Sequence, residues 1–201
     1  MRKPKLRELK EAITAVVKGP YTSSFPFAPL EPAEAFRGQP EYDEDECIGC
    51  GACAEVCPAR TIDVEDEGDT RTLVHHYDNC IYCGQCEALC TTEKGIQLTH
   101  EFALAVFDRS QAVTKVEKEL VRCEHCGDII TTREHLEWIA RKVGSLGVAN
   151  PTLTVTLHQR LGATVDPSAR PEDKTVGRYD SYMVMCPACR REVYLTEDWL
   201  G

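Results

Sequence analysis

Nowhere in the chain does an apolar run approach the roughly 20 residues of a membrane-spanning helix. A secretory leader is not expected either, because the opening MRKPKLRELKEAITAVVKGP is basic but has no continuous apolar core. There is no P-loop, no G-x-G-x-x-G fingerprint and no nucleophile constellation. The chain therefore offers no nucleotide site and no hydrolytic centre of its own. Excess positive charge is lacking as well. Lys and Arg number 23 against 33 Asp and Glu, a formal net charge of −10. An acidic body repels phosphates, so no nucleic-acid partner is expected. The imbalance is uneven: residues 1–20 carry +4 and the remainder −14.

What the sequence has in quantity is cysteine, 12 in 201 residues. A short secreted protein so rich in cysteine would be a disulfide scaffold. Here the cysteines fall in Cys-x-x-Cys pairs, which favours metal and a reducing, cytoplasmic setting. Eight of them form two runs: Cys47-x-x-Cys50-x-x-Cys53-x-x-x-Cys57-Pro58 and Cys80-x-x-Cys83-x-x-Cys86-x-x-x-Cys90. The second repeats the first at an offset of 33 (47 to 80, 50 to 83, 53 to 86, 57 to 90). This is the spacing of bacterial two-cluster ferredoxins. A [4Fe–4S] cube needs one thiolate per iron. Three cysteines in a tight loop reach three corners, and the fourth, after a longer step, serves the other cube. The expected ligand sets are Cys47, Cys50, Cys53 and Cys90 for one cluster, and Cys57, Cys80, Cys83 and Cys86 for the second. Gly49, Gly51 and Gly84 lie inside the loops, where a backbone without Cβ approaches a cluster closely.

Four more cysteines form a separate set. Cys123-Glu-His-Cys126 and Cys186-Pro-Ala-Cys189 are two knuckles, and four thiolates suit a tetrahedral Zn or Fe ion. The expected form is a zinc ribbon or rubredoxin-like domain, its metal structural. His125 is not expected to be a ligand.

Around these sites the periodicity predicts a basic amphipathic helix over 5–18, with Leu6, Leu9, Ile13, Val16 and Val17 on one stripe. The stripe could lie on this chain's own body, on a partner subunit or on a membrane surface, the partner being the leading expectation. Five prolines between 20 and 46 predict an extended arm. Strands are expected at 61–64 and 73–77, around a polar turn at 65–72, and again at 95–98. His75 and His76, in that hairpin, are expected to pack and not to ligate. Residues 102–107 read as a weak strand and 113–121 as helical or a charged connector. A helix is expected over 136–143, with Thr131 and Glu134 as its capping box. Asn150-Pro151 begins a helix or a strand, 163–178 is a polar loop, and 182–185 and 192–195 are short strands. The fold class is α+β in three parts: helix and arm at 1–40, two-cluster domain at 41–109 and four-cysteine domain at 110–201.

Beyond the eight cysteines, the motif Phe36-Arg37-Gly38 resembles the two-cluster ferredoxin subunit of respiratory complex I. The arm Thr22-Ser23-Ser24-Phe25-Pro26, the stretch Phe36-Arg37-Gly38-Gln39-Pro40 and the added Cys123, Cys126, Cys186 and Cys189 together resemble the ferredoxin subunit of formate hydrogenlyase and related group 4 membrane-bound nickel–iron hydrogenases. The resemblance implies a non-catalytic wire on the cytoplasmic side of the membrane, peripheral and held in a complex. It would take electrons from a formate dehydrogenase or another ferredoxin-like subunit and pass them to the hydrogenase small subunit. The large subunit would lie beyond, and the membrane arm would be an indirect partner. A complex I-type NADH or ferredoxin:quinone oxidoreductase is the alternative host. One position departs from the family pattern: Cys90 is followed by Thr91 where the family has proline.

Overall fold

Two antiparallel strand pairs answer the sequence repeat. In the computed structural model, which describes residues 5–19, 22–163 and 182–195, β1 (Pro40–Tyr42) pairs with β4 (Ile96–Leu98), and β2 (Ile62–Glu67) pairs with β3 (Thr70–His76). Each cysteine loop ends in a short helix, α2 (Ala52–Glu55) or α3 (Gln85–Ala88). Between the pairs lies a core of Cys47, Cys53, Ile62, Leu73, Cys86, Ile96 and Val116. Leu73 and Ile96 are each 1% exposed, and full burial of one such side chain is worth about 1.5–3 kcal/mol.

The hairpin differs from the expected one. β2 runs on through Asp63, Glu65 and Glu67, whose side chains face solvent, so the turn is reduced to Gly68 and Asp69. The span 113–121 is neither helix nor connector. It is the longest strand among the described residues, β5 (Val113–Arg122), paired with β3 on one side and with β6 (Ile129–Thr132) on the other. The sheet order is β2-β3-β5-β6 and is unbroken across position 110, so the two parts expected to meet there share β5. Residues 102–107 form no strand.

Beyond β6 the chain turns helical. α4 (Arg133–Val143) starts at Thr132, one residue later than the expected cap, and the capping box does not form. Thr131 Oγ1 instead lies 2.8 Å from His135 Nδ1. Asn150 caps α5 (Pro151–Arg160) by accepting the Thr152 N–H, which settles this span as helix. Leu136, Ala140, Leu153, Val155 and Val184 pack with Val121 as a second core. The last knuckle opens α6 (Pro187–Leu195), where a strand was expected at 192–195. Proline at the first helical position favours this start, because its missing N–H would be unpaired there anyway. The polar loop expected over 163–178 lies almost wholly outside the described residues.

Residues up to Phe36 form a unit of their own. It contains α1 (Leu6–Lys18), stopped by Gly19 and with none of its residues buried. The segment from Thr22 onward has no helix or strand before β1.

Candidate metal centres

Each half of the repeat builds one cavity. The first is lined by Cys47, Cys50, Cys53 and Cys90, with Tyr42, Leu73 and Ile96 among the other walls. The second is lined by Cys57, Cys80, Cys83 and Cys86, with Ile62, His75 and Leu98. The fold thus carries Cys90 back to the first loop and Cys57 across to the second. Four thiols around a largely apolar hollow suit a [4Fe–4S] cube: soft donors for iron and few competing oxygens.

The thiols of the two halves sit in matching environments. Burial pushes Cys53 up to about 12 and Cys86 up to about 11, and raises Cys47 and Cys80 as well. Cys57 and Cys90, the two crossing residues, behave differently. Burial would raise them too, but the hydroxyls of Thr61 and Thr92 and nearby N–H groups outweigh it and bring both down. Thr61 Oγ1 is 3.4 Å from Cys57 Sγ, and Thr92 Oγ1 is 3.5 Å from Cys90 Sγ. Thr91, directly after Cys90, adds a further hydroxyl, its Oγ1 3.3 Å from Cys50 Sγ.

Two cations hold the first cysteine loop through its carbonyls and its flank. Arg71 forms a two-point ion pair with Asp66 (2.7 and 2.8 Å) and donates to the Gly49 carbonyl. Lys118, on β5, donates to the Glu44 carbonyl at 2.5 Å. Thr132 donates to the Ile48 carbonyl, so β5 and β6 clamp the first cysteine loop from behind. Gly49 is the point of contact. Its φ is +63°, and a Cβ there would meet Thr132 and Lys118 at 2.8–3.0 Å. The second loop has Tyr82 at the equivalent position, also left-handed (φ +52°), its hydroxyl donating to the Tyr77 carbonyl. Arg37 donates to the Cys83 carbonyl at 2.8 Å. The contacts of Arg37, Lys118 and Thr132, and of Arg71 with Gly49, could not be assigned from the sequence, since each joins residues 22 or more positions apart.

The remaining cysteines meet where β5 ends and α6 begins. The sulfurs of Cys123, Cys126, Cys186 and Cys189 all lie within 4.8 Å of one another. Cys126 is exposed and the other three are buried. Burial tends to raise the Cys123 thiol, but N–H groups of Cys186, Cys126 and His125 prevail and hold it down at about 6. A thiol ready to ionise is what a structural metal requires. The knuckles sit in a β5–β6 hairpin and on the first turn of a helix. The strand-flanked second knuckle expected of a zinc ribbon is not formed.

Against known proteins, a family model described as a 4Fe-4S dicluster domain matches residues 35–94. Formate hydrogenlyase subunit 6 of Escherichia coli K12 is 34% identical over 128 residues, 63% of this chain and 71% of that protein. The chain belongs to the iron–sulfur subunit family of formate hydrogenlyase subunit 6. It is also homologous to complex I-type subunits. NAD(P)H-quinone oxidoreductase subunit I of Picosynechococcus is 38% identical over 98 residues, 46% of this chain and 48% of that one. The same subunit of Gloeobacter violaceus is 32% identical over the same length. Among solved structures, a chain of an archaeal membrane-bound sulfane sulfur reductase aligns at 26% identity and a TM-score of 0.38, covering 56% of this chain and 61% of that one. As members of this family go, the chain is an iron–sulfur electron-transfer subunit, and among the described residues no helix is long and apolar enough to cross a membrane.

Proposed function

We propose that this protein relays electrons between a donor module, such as a formate dehydrogenase, and the small subunit of a membrane-bound nickel–iron hydrogenase. The reading rests on one observation: two four-cysteine cavities, built on one core and tied by the crossing of Cys57 and Cys90. Cys47, Cys50, Cys53 and Cys90 hold one [4Fe–4S] cluster, and Cys57, Cys80, Cys83 and Cys86 hold the other. When bound, these clusters supply one-electron transfer at potentials set by the protein around them. The chain's own residues do three things. Cysteine thiolates fix the positions, threonine and tyrosine hydroxyls and backbone N–H groups point at the sulfurs, and apolar walls exclude water. The Cys123, Cys126, Cys186 and Cys189 site takes a single Zn or Fe ion in a structural role, tying α6 to the β5–β6 hairpin.

The hydrogenase side is favoured because the match to formate hydrogenlyase subunit 6 spans 128 residues, against 98 for the complex I-type subunits. The apolar stripe of α1, wholly outside any core, suits docking on a partner subunit. The protein would then sit peripherally at the cytoplasmic face of the membrane, within its complex. A complex I-type quinone reductase is the second reading, supported by the 38% identity to subunit I. Affinity purification from the native host decides between them. Co-purifying hydrogenase subunits and loss of hydrogen evolution in Cys53→Ser support the proposal. Quinone reductase subunits in their place overturn it, and unchanged electron flow in Cys53→Ser overturns both readings.

A further inference from the structure

A buried imidazole lines the second cavity. His75 is 1% exposed, and neither ring nitrogen finds a hydrogen-bond partner among the described residues. An imidazole always carries at least one N–H, and burying it unpaired is strongly unfavourable. Yet the ring lines the same cavity as Cys57, Cys80, Cys83 and Cys86.

The internal repeat gives the ring a counterpart. Tyr42 stands five residues before Cys47, and His75 stands five before Cys80, at the same offset of 33 as the cysteines. The strands agree with this alignment. Tyr42 is paired with Ile96 across β1–β4, and His75 with Ile62 across β2–β3. Ile96 lines the first cavity and Ile62 the second. In the first half the tyrosine has a sulfur partner: its hydroxyl lies 3.9 Å from Cys53 Sγ. The repeat maps Cys53 onto Cys86.

We propose that His75 is the second cavity's counterpart of Tyr42, a positioning residue whose ring N–H donates to a sulfur of the cluster on its Cys86 side. The inference rests on the assignment of a cluster to Cys57, Cys80, Cys83 and Cys86. A donor to sulfur stabilises the more negative, reduced state, so His75 raises the potential of that cluster. It also explains why a polar ring occupies this core, where Leu73 two residues earlier meets the first cavity with an apolar side chain.

The test uses the full-length protein with both clusters assembled and all histidines labelled with ¹⁵N. Among the described histidines only His75 lines either cavity. Pulsed EPR of the reduced protein should detect a ring-nitrogen coupling. That coupling should vanish in His75→Phe and the potential of one cluster should move negative, the other staying put. His75→Gln, which keeps an N–H, should restore most of the potential. Absence of ring-nitrogen coupling in the unsubstituted protein overturns the proposal even if no variant assembles. So does an unshifted pair of potentials in His75→Phe. Fewer than two clusters in the unsubstituted protein would instead sink the underlying ligand assignment.

Discussion

Replacing Gly49 by Ala tests the clamp that β5 and β6 place on the first cysteine loop. Two penalties add at this position. Its φ of +63° puts an alanine in the left-handed region, which disfavours an L-residue by roughly 1–2 kcal/mol. The new Cβ would also stand 2.8 Å from Thr132 Cγ2 and 3.0 Å from Lys118 Cβ and Cγ. Thr132 is fully buried and the Lys118 atoms are at the root of its side chain, so neither can swing away. Overpacking of this kind destabilises by about 1–3 kcal/mol. Together they predict a loss of about 2–5 kcal/mol, a large part of the ~5–15 kcal/mol by which domains are stable. Gly68→Ala is the control. Its φ is also positive, at +54°, but nothing lies within 4 Å of the added carbon. Only the backbone penalty of roughly 1–2 kcal/mol applies there. The assay follows bleaching of the cluster absorbance in denaturant, with EPR to show which cluster goes first. Gly49→Ala should bleach at clearly lower denaturant than Gly68→Ala and lose the first cluster ahead of the second. Equal midpoints for the two variants would refute the clamp.

Other outcomes follow from single contacts. Thr91→Val removes the hydroxyl 3.3 Å from Cys50 Sγ. A hydrogen bond of about 0.5–1.5 kcal/mol corresponds to roughly 20–60 mV for one electron, so the first cluster should become more negative by about that much in a redox titration. Asp66→Asn should destabilise by about 1 kcal/mol at neutral pH, measured by denaturant midpoint, since it breaks the two-point ion pair with Arg71. The Arg71 hydrogen bond holds the Asp66 carboxyl below its usual range. A carboxylate depressed in the folded state stabilises above its unfolded pKa of about 3.9, and the benefit is lost as pH falls through the folded value. The gap between the two proteins should therefore close below about pH 4. Cys186→Ser should abolish the single Zn or Fe ion and loosen α6 while both cluster signals persist, as read by metal analysis, circular dichroism and EPR. Loss of electron transfer with the fold intact would show that this ion is a redox station.

The site was legible in the sequence to the extent that its chemistry is local. Cysteine spacing gathers three thiols in one loop, and the same spacing names Cys57 and Cys90 as the residues that cross, each of which lines the other half's cavity. Helices α1 and α4 were legible from apolar periodicity, since each keeps a single apolar stripe. β5 was not, for a physical reason. Its inward row is Thr114, Val116, Lys118 and Leu120, and two of these are polar. Their partners, the carbonyls of Pro40 and Glu44, are distant in the chain, so the alternation of a half-buried strand is hidden. At 192–195, Val193 and Leu195 mimic strand alternation, but only Val193 is buried, beside Cys186 and Cys189 on α6. For His75 the sequence by itself suggests only hairpin packing. The available signal was the repeat itself, which sets it opposite Tyr42, but the contact of Tyr42 with a cysteine sulfur emerges only in the fold.

The central claim is that two clusters share one fold through crossed cysteines. Iron and acid-labile sulfide analysis joined to EPR of the fully reduced protein tests it most directly. The account predicts iron and sulfide for two [4Fe–4S] clusters and a spectrum broadened by spin–spin coupling between neighbours. Iron and sulfide for a single cluster, or two signals with no coupling, would contradict it.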